Sequence, residues 1–284
     1  MQSINYAYIN GQFVPEAQAN VSVFDSGFLF GDGVFETMPV YHSRIFRFNQ
    51  HVQRLFAGLE RLKIHIPFSI ESLRKIFEKL CEQNIQHGVA RVYVTRGPGV
   101  AVLSTASPTQ PTVVAMVWSH ASPYPESVRA MISSVRVDSD SPLTRIKSAN
   151  RLPYILAKQE AEQSGGDEAV LLNQSGHVVE LTAFNLFAVT DGRLLTPPIS
   201  EGALPGITRE VVLQLSEKLE IPTLEVPMKP GDLADADEVF ATNSVREIVS
   251  VEGLNAGVPV EERQMTQKIR AAYHDLVKEE LDLR

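Results

Sequence analysis

The chain has 284 residues, 44% hydrophobic and 21% charged, the balance of a globular protein with one large or two medium domains. A formal charge of −8 leaves no broad basic face, which argues against nucleic acid and against an anionic membrane surface as partners. Cys81 is the single cysteine, so no intrachain disulfide can form and a reducing, cytoplasmic compartment is expected.

The elements are expected as follows. The first residues lack the basic region and apolar core of a signal peptide, and no apolar run approaches the roughly 20 residues that span a bilayer. Residues 6–15 read as a hairpin turning at Asn10-Gly11, the strongest short-range signal for that turn. Residues 33–47 read as a second hairpin around His42, Ser43 and Arg44. Asn49 is expected to cap a helix running through His51, Leu55, Leu59 and Leu62. Ser69 is expected to cap another, with Ile70, Leu73, Ile76, Phe77 and Leu80 at helical spacing and Cys81 beside them as a core thiol. Strands follow at 90–95 and 112–118.

Two prolines and no periodicity between Ser119 and Glu126 predict a linker. The domain reading is therefore residues 1–119, a linker at 120–127, and a larger C-terminal domain at 128–284. In the second domain, strands are expected at 129–137, 168–173, 177–180, 185–190, 238–242 and 247–251, with helices at 154–164, 208–219 and 266–283. The fold class is α+β: two domains that each mix helices with mostly antiparallel sheet.

Four features carry chemistry. Lys147 lies among β-branched and small residues; a lysine shielded from water loses its charge more readily, as an amine nucleophile requires, although most lysines are solvated surface groups. The Pro205-Gly206 turn opens a helix whose first N–H groups could seat a phosphate, or could simply connect two elements. Arg54 on a helix face and Glu180 at the end of an apolar run are ordinary when taken singly. The seven histidines form no ligand-spaced cluster, so no metal is expected.

In this order and spacing the residues resemble the class IV aminotransferases, the fold-type IV pyridoxal-phosphate enzymes. That group includes branched-chain and D-amino-acid aminotransferases and 4-amino-4-deoxychorismate lyase. The markers are the run Phe24 to Glu36, His51-x-x-Arg54-Leu55, Arg145 to Asn150 around Lys147, Glu180 followed by Asn185-Leu186-Phe187, Leu204 to Arg209, and Thr242 to Val245.

The resemblance implies pyridoxal 5'-phosphate as cofactor. It implies Lys147 as the Schiff-base lysine and mover of the substrate's α-proton, and Glu180 as the carboxylate facing the pyridine nitrogen. Arg54, the backbone N–H groups of Ile207 and Thr208, and the Ser244 hydroxyl would bind the phosphate. Phe28, Thr37, Arg96 and Asn243 would line the substrate. A homodimer, a small-molecule amino donor and an oxo-acid acceptor follow from the same likeness.

Within the group, Leu152 stands where branched-chain enzymes have a tyrosine, which resembles the D-amino-acid enzymes and the lyases. Ala101 and Leu103 stand where relatives place an arginine and a histidine for a substrate carboxylate, and Met38-Pro39 replaces another stretch often carrying arginine. Arg44, Arg96 and Arg151 are the candidates to replace that trap. The expected activity is amino-group transfer with an apolar substrate pocket; the alternative is lyase chemistry, eliminating pyruvate to give 4-aminobenzoate.

Overall fold

A computed structural model describes residues 5–82, 87–99, 103, 110–119, 125–254 and 263–283. The chain divides into two compact units. Met1–Ser122 with Ile146–Asn150 form the first, and Pro123–Arg145 with Arg151–Arg284 the second. The sequence pattern places all of 128–284 in one domain, whereas residues 146–150 pack with the first unit. Residues 120–124 of the expected linker and Ala101 lie outside the described residues; Leu103 is 87% exposed.

In the first unit, strands β1 (Tyr6–Ile9), β2 (Gln12–Pro15), β3 (Gly33–Tyr41), β4 (Arg44–Ile45), β5 (His87–Thr95) and β6 (Thr112–Ser119) form an antiparallel sheet in the order β2-β1-β6-β5-β3-β4. A short helix, α1 (Ser26–Phe30), precedes β3. Helices α2 (Phe48–Leu62) and α3 (Ile70–Cys81) present apolar faces to the sheet. Met38, Leu55, Leu73, Phe77 and Val92 meet in that core. Because strand side chains alternate, Val34, Glu36 and Met38 point to the helices, while Phe35 and Thr37 occupy the opposite face.

Ser69 caps α3 as expected, accepting from the Ser72 N–H. The cap of α2 differs. Arg47 holds it in left-handed backbone (φ 54°), so the helix starts before Asn49, whose carbonyl instead accepts from Arg74 at 2.6 Å. Cys81 is buried, and burial with the nearby Glu78 charge pushes its thiol up to about 11, an inert core group.

The lysine segment is bridged to the sheet of this first unit. The N–H of Phe35 donates to the Lys147 carbonyl at 3.0 Å, and that of Ala149 to the Gly33 carbonyl at 2.9 Å, around an antiparallel bridge between Val34 and Ser148. Gly33 is required at this crowded start of β3, since a Cβ would come within 2.5 Å of the Val94 carbonyl oxygen.

The second unit holds β7 (Ser127–Val137), β8 (Glu168–Asn173), β9 (Val178–Leu181), β10 (Asn185–Thr190), β11 (Arg193–Thr196), β12 (Thr223–Glu225), β13 (Glu238–Asn243) and β14 (Glu247–Glu252). Their order is β12-β11-β10-β13-β14-β7-β8-β9. Parallel pairing of β11 with β12, β14 with β7, and β7 with β8 departs from an otherwise antiparallel pattern. Helix α4 (Leu152–Gln163) packs on β7 and β8; α5 (Ile207–Lys218) and α7 (Gln264–Glu280) pack on β13, and α6 (Pro230–Ala234) is a single turn. No helix among the described residues is long and apolar enough to cross a membrane.

Candidate active site

In the first unit, the Lys147 ammonium lies 4.9 Å from the centroid of the Phe35 ring, and that ring stacks on Tyr93 at 5.2 Å. On the core face of the same strand, Glu36 is wholly buried and accepts from Arg54 Nε at 2.6 Å and Nη2 at 2.8 Å. His51, one helical turn before Arg54, places Nδ1 2.8 Å from the same carboxylate.

Burial alone would raise the Glu36 carboxyl. The Arg54 charge and hydrogen bonds, with His51 adding to them, outweigh it and hold the group at about 2. Burial lowers His51, and the charges of Arg54 and Lys147 push the same way against Glu36. The imidazole is therefore neutral, and Arg54 is held by a pair of residues to which the sequence pattern assigns no role. The signal was present: His51 and Arg54 are polar residues at i, i+3 on a helix that otherwise turns Val52, Leu55 and Leu59 inward.

Arg91 is a second residue that the sequence pattern does not single out. It lies on the Phe35 face of β5, its guanidinium 5.6 Å from the Phe35 ring and 5.4 Å from Trp118, and its Nε donates to Thr37 Oγ1 at 3.1 Å. It pairs with no carboxylate among the described residues, and burial lowers its pKa. A cation on a strand of Val89, Val92 and Val94 was the available clue.

The three expected carboxylate traps are placed differently. Arg96 is held by Asp32 at 2.6 Å and by the Leu62 carbonyl at 2.9 Å. Arg151 donates to the Thr182 carbonyl and lies 3.5 Å over the Tyr154 ring. Arg44 is exposed on the β3–β4 hairpin. Of the other substrate candidates, Thr37 accepts from Arg91, and Phe28 is 71% exposed on α1. Asn243 shapes a turn: its amide donates to Ala183, and its carbonyl accepts from the Val245 and Arg246 N–H groups.

In the second unit, Glu180 is 5% exposed at the end of β9. Its Oε2 accepts from the Leu204 N–H at 3.0 Å and the Asn185 amide at 3.2 Å; its Oε1 faces the Tyr154 hydroxyl at 3.4 Å. Helix α5 starts at Gly206 with no side chain capping Ile207 or Thr208. Asn185 lies so close that a Cβ at 206 would fall 1.9 Å from its Oδ1, so only glycine fits.

Asn185 is paired across the sheet with Thr242, so their side chains share a face. The Thr242 hydroxyl is buried without a hydrogen-bond partner, one residue before the turn that carries Asn243 and Ser244. Uncapped helix amides and an orphaned hydroxyl on one side of a sheet suit an anion such as a phosphate monoester.

Residues 33–254 match the amino-transferase class IV family. The chain is 38% identical over 280 residues to a putative branched-chain-amino-acid aminotransferase of Methanocaldococcus jannaschii, covering 95% of each. It is 34% identical over 281 residues to the D-alanine aminotransferase of Listeria innocua, covering 96% of this chain and 95% of that one. Its fold matches the T.th. branched-chain amino acid aminotransferase solved with pyridoxamine 5'-phosphate, with a TM-score of 0.88, 26% identity, and coverage of 97% of this chain and 94% of that one.

Fold and family match thus define a pyridoxal-phosphate-dependent enzyme that transfers amino groups. The chain belongs to the class IV aminotransferase family.

Proposed function

We propose that Lys147 is the catalytic lysine of an aminotransferase acting on an amino acid with an apolar side chain, and that Arg91 receives the substrate's carboxylate. The observation that carries this reading is the fixing of Lys147. Its backbone is bonded on both sides to β3, and its ammonium rests over Phe35 on the face that also bears Arg91. When bound, pyridoxal phosphate supplies a carbonyl that captures amines and a ring that takes up the electrons released at the α-carbon.

Lys147 would supply the amine that takes up and returns the proton of the substrate's α-carbon. Glu180, whose Oε2 accepts from the Leu204 N–H and the Asn185 amide, would face the ring nitrogen and favour its protonated form. The N–H groups of Ile207 and Thr208 at the start of α5, and the Ser244 hydroxyl, would hold the phosphate; the family resemblance gives the same role to Arg54, whose fork Glu36 orients. Aromatic and apolar neighbours around Arg91 (Phe35, Trp118 and, opposite it on β6, Met116) favour an uncharged substrate side chain.

The family resemblance implies a homodimer. Exposed Phe24 and Phe28 in the first unit, and Leu152, Ile155 and Leu156 on α4, support it as apolar surface that a partner would cover. The buried, free Cys81 agrees with a cytoplasmic setting.

Borohydride reduction of the cofactor-loaded protein, followed by peptide mapping, should place the cofactor on the peptide containing Lys147. Lys147→Ala should abolish that adduct and turnover. An amino donor alone should convert the cofactor to its pyridoxamine form, which a lyase releasing pyruvate would not do. Label on another lysine, or wild-type transfer by Lys147→Ala, sinks the assignment.

A further inference from the structure

Resting on the assignment of Glu180 to the ring nitrogen, we propose that Tyr154, clamped by Arg151, is a positioning residue that sets how firmly Glu180 keeps that nitrogen protonated. Leu204 and Asn185 both address Oε2 of Glu180, whereas the Tyr154 hydroxyl donates to Oε1 at 3.4 Å. The carboxylate is thus held from two sides, and its rotation is fixed.

The phenol is itself held. The Arg151 guanidinium lies 3.5 Å from the Tyr154 ring centroid, and its Nη2 donates to the Thr182 carbonyl at 2.7 Å, two residues beyond Glu180. Arg151 brings the clamp to the same short stretch of chain as the carboxylate, and it adds a cation against the phenol ring.

Tyr154 on α4 thus meets both the Glu180 carboxylate and the Arg151 guanidinium, which lies on the approach to the same helix. Burial first, and then the Glu180 charge, raise the phenol well above its usual range, so it remains a donor at every working pH. A donor to a carboxylate stabilises the ionised form, and an ionised Glu180 favours the protonated ring nitrogen beside it.

The experiment loads the full-length protein with pyridoxal phosphate carrying 15N at the ring nitrogen and follows its chemical shift with pH. Tyr154→Phe should lower the ring nitrogen's apparent pKa by about one unit, the tenfold effect of losing one hydrogen bond to a charged group. It should cut kcat roughly tenfold while KM changes little. Arg151→Gln should move the shift in the same direction by less, with both variants checked for native melting.

A Tyr154→Phe titration superimposing on wild type, while Glu180→Gln displaces it, overturns this inference alone. A ring nitrogen that titrates as in free cofactor in wild type, unmoved by Glu180→Gln, overturns both this inference and the Glu180 assignment beneath it.

Discussion

Glu36 receives both Nε and Nη2 of Arg54 at 2.6 and 2.8 Å, although its carboxylate is wholly removed from solvent. Such a pair is expensive to split, because either partner alone would be a buried, uncompensated charge. Glu36→Ala is expected to cost about 3–5 kcal/mol in urea unfolding, and replacing both residues with apolar ones should recover most of it. A loss under about 1 kcal/mol for the single variant would show that Arg54 finds another partner without effort.

The pH response of stability follows from the same trio. His51 is held neutral in the folded protein, its pKa below the ordinary 6.5, so the unfolded chain gains a proton that the folded chain refuses as pH drops below 6.5. Stability falls there by up to about 1.4 kcal/mol per pH unit. Glu36, at about 2 against 4.5, contributes stability that is present above 4.5 and is lost as pH falls towards 2. His51→Asn should therefore flatten the difference between pH 6.5 and 4.5 while leaving the loss below it. An unchanged upper limb would mean that His51 is protonated in the fold.

Arg91→Leu should raise KM for the oxo acid by about 10- to 100-fold, the loss of one charged hydrogen-bond partner, with kcat within a few-fold. Trp118 is the sole tryptophan and lies 5.4 Å from that guanidinium, so its emission reports the site directly. Oxo acid should perturb the emission of wild type but not of the variant; equal responses would place the carboxylate elsewhere.

Thr242→Val separates a structural hydroxyl from a ligand-binding one. Because the buried Oγ1 has no partner, the cofactor-free variant should be as stable as wild type or slightly more so. Affinity for pyridoxal phosphate, measured by fluorescence titration, should nonetheless fall about tenfold. Destabilisation of the cofactor-free form by more than about 1 kcal/mol would indicate a hydrogen bond within the fold instead.

What was readable in the sequence was local or periodic. Asn10 and Gly11 both take positive φ, 45° and 99°, as a two-residue hairpin demands, and the α3 cap was written in Ser69. The class IV markers carried the family. The rest depended on pairing between distant segments. Nothing near Lys147 announces that it joins β3, and nothing near Arg96 announces Asp32 and the Leu62 carbonyl as its partners. Arg47 in left-handed backbone sets the helix start ahead of Asn49, the residue type expected to cap it, because a cap is decided by backbone path as well as by residue type. Arg91 is not marked by the sequence, since a strand's pattern shows which face a cation occupies, but not whether that cation has a counter-charge.

The bridged segment at residues 146–150 also limits how this chain can be rearranged. The segment is flanked on both sides by residues of the second unit, so a single cut near residue 122 strands Lys147 on the piece lacking Gly33 and Phe35. Chimeras between relatives that cross over at that point inherit their lysine from one parent and its docking edge from the other. They will tolerate exchange only where both parents agree on the register of Val34 with Ser148, which makes that bridge a checkpoint for recombination.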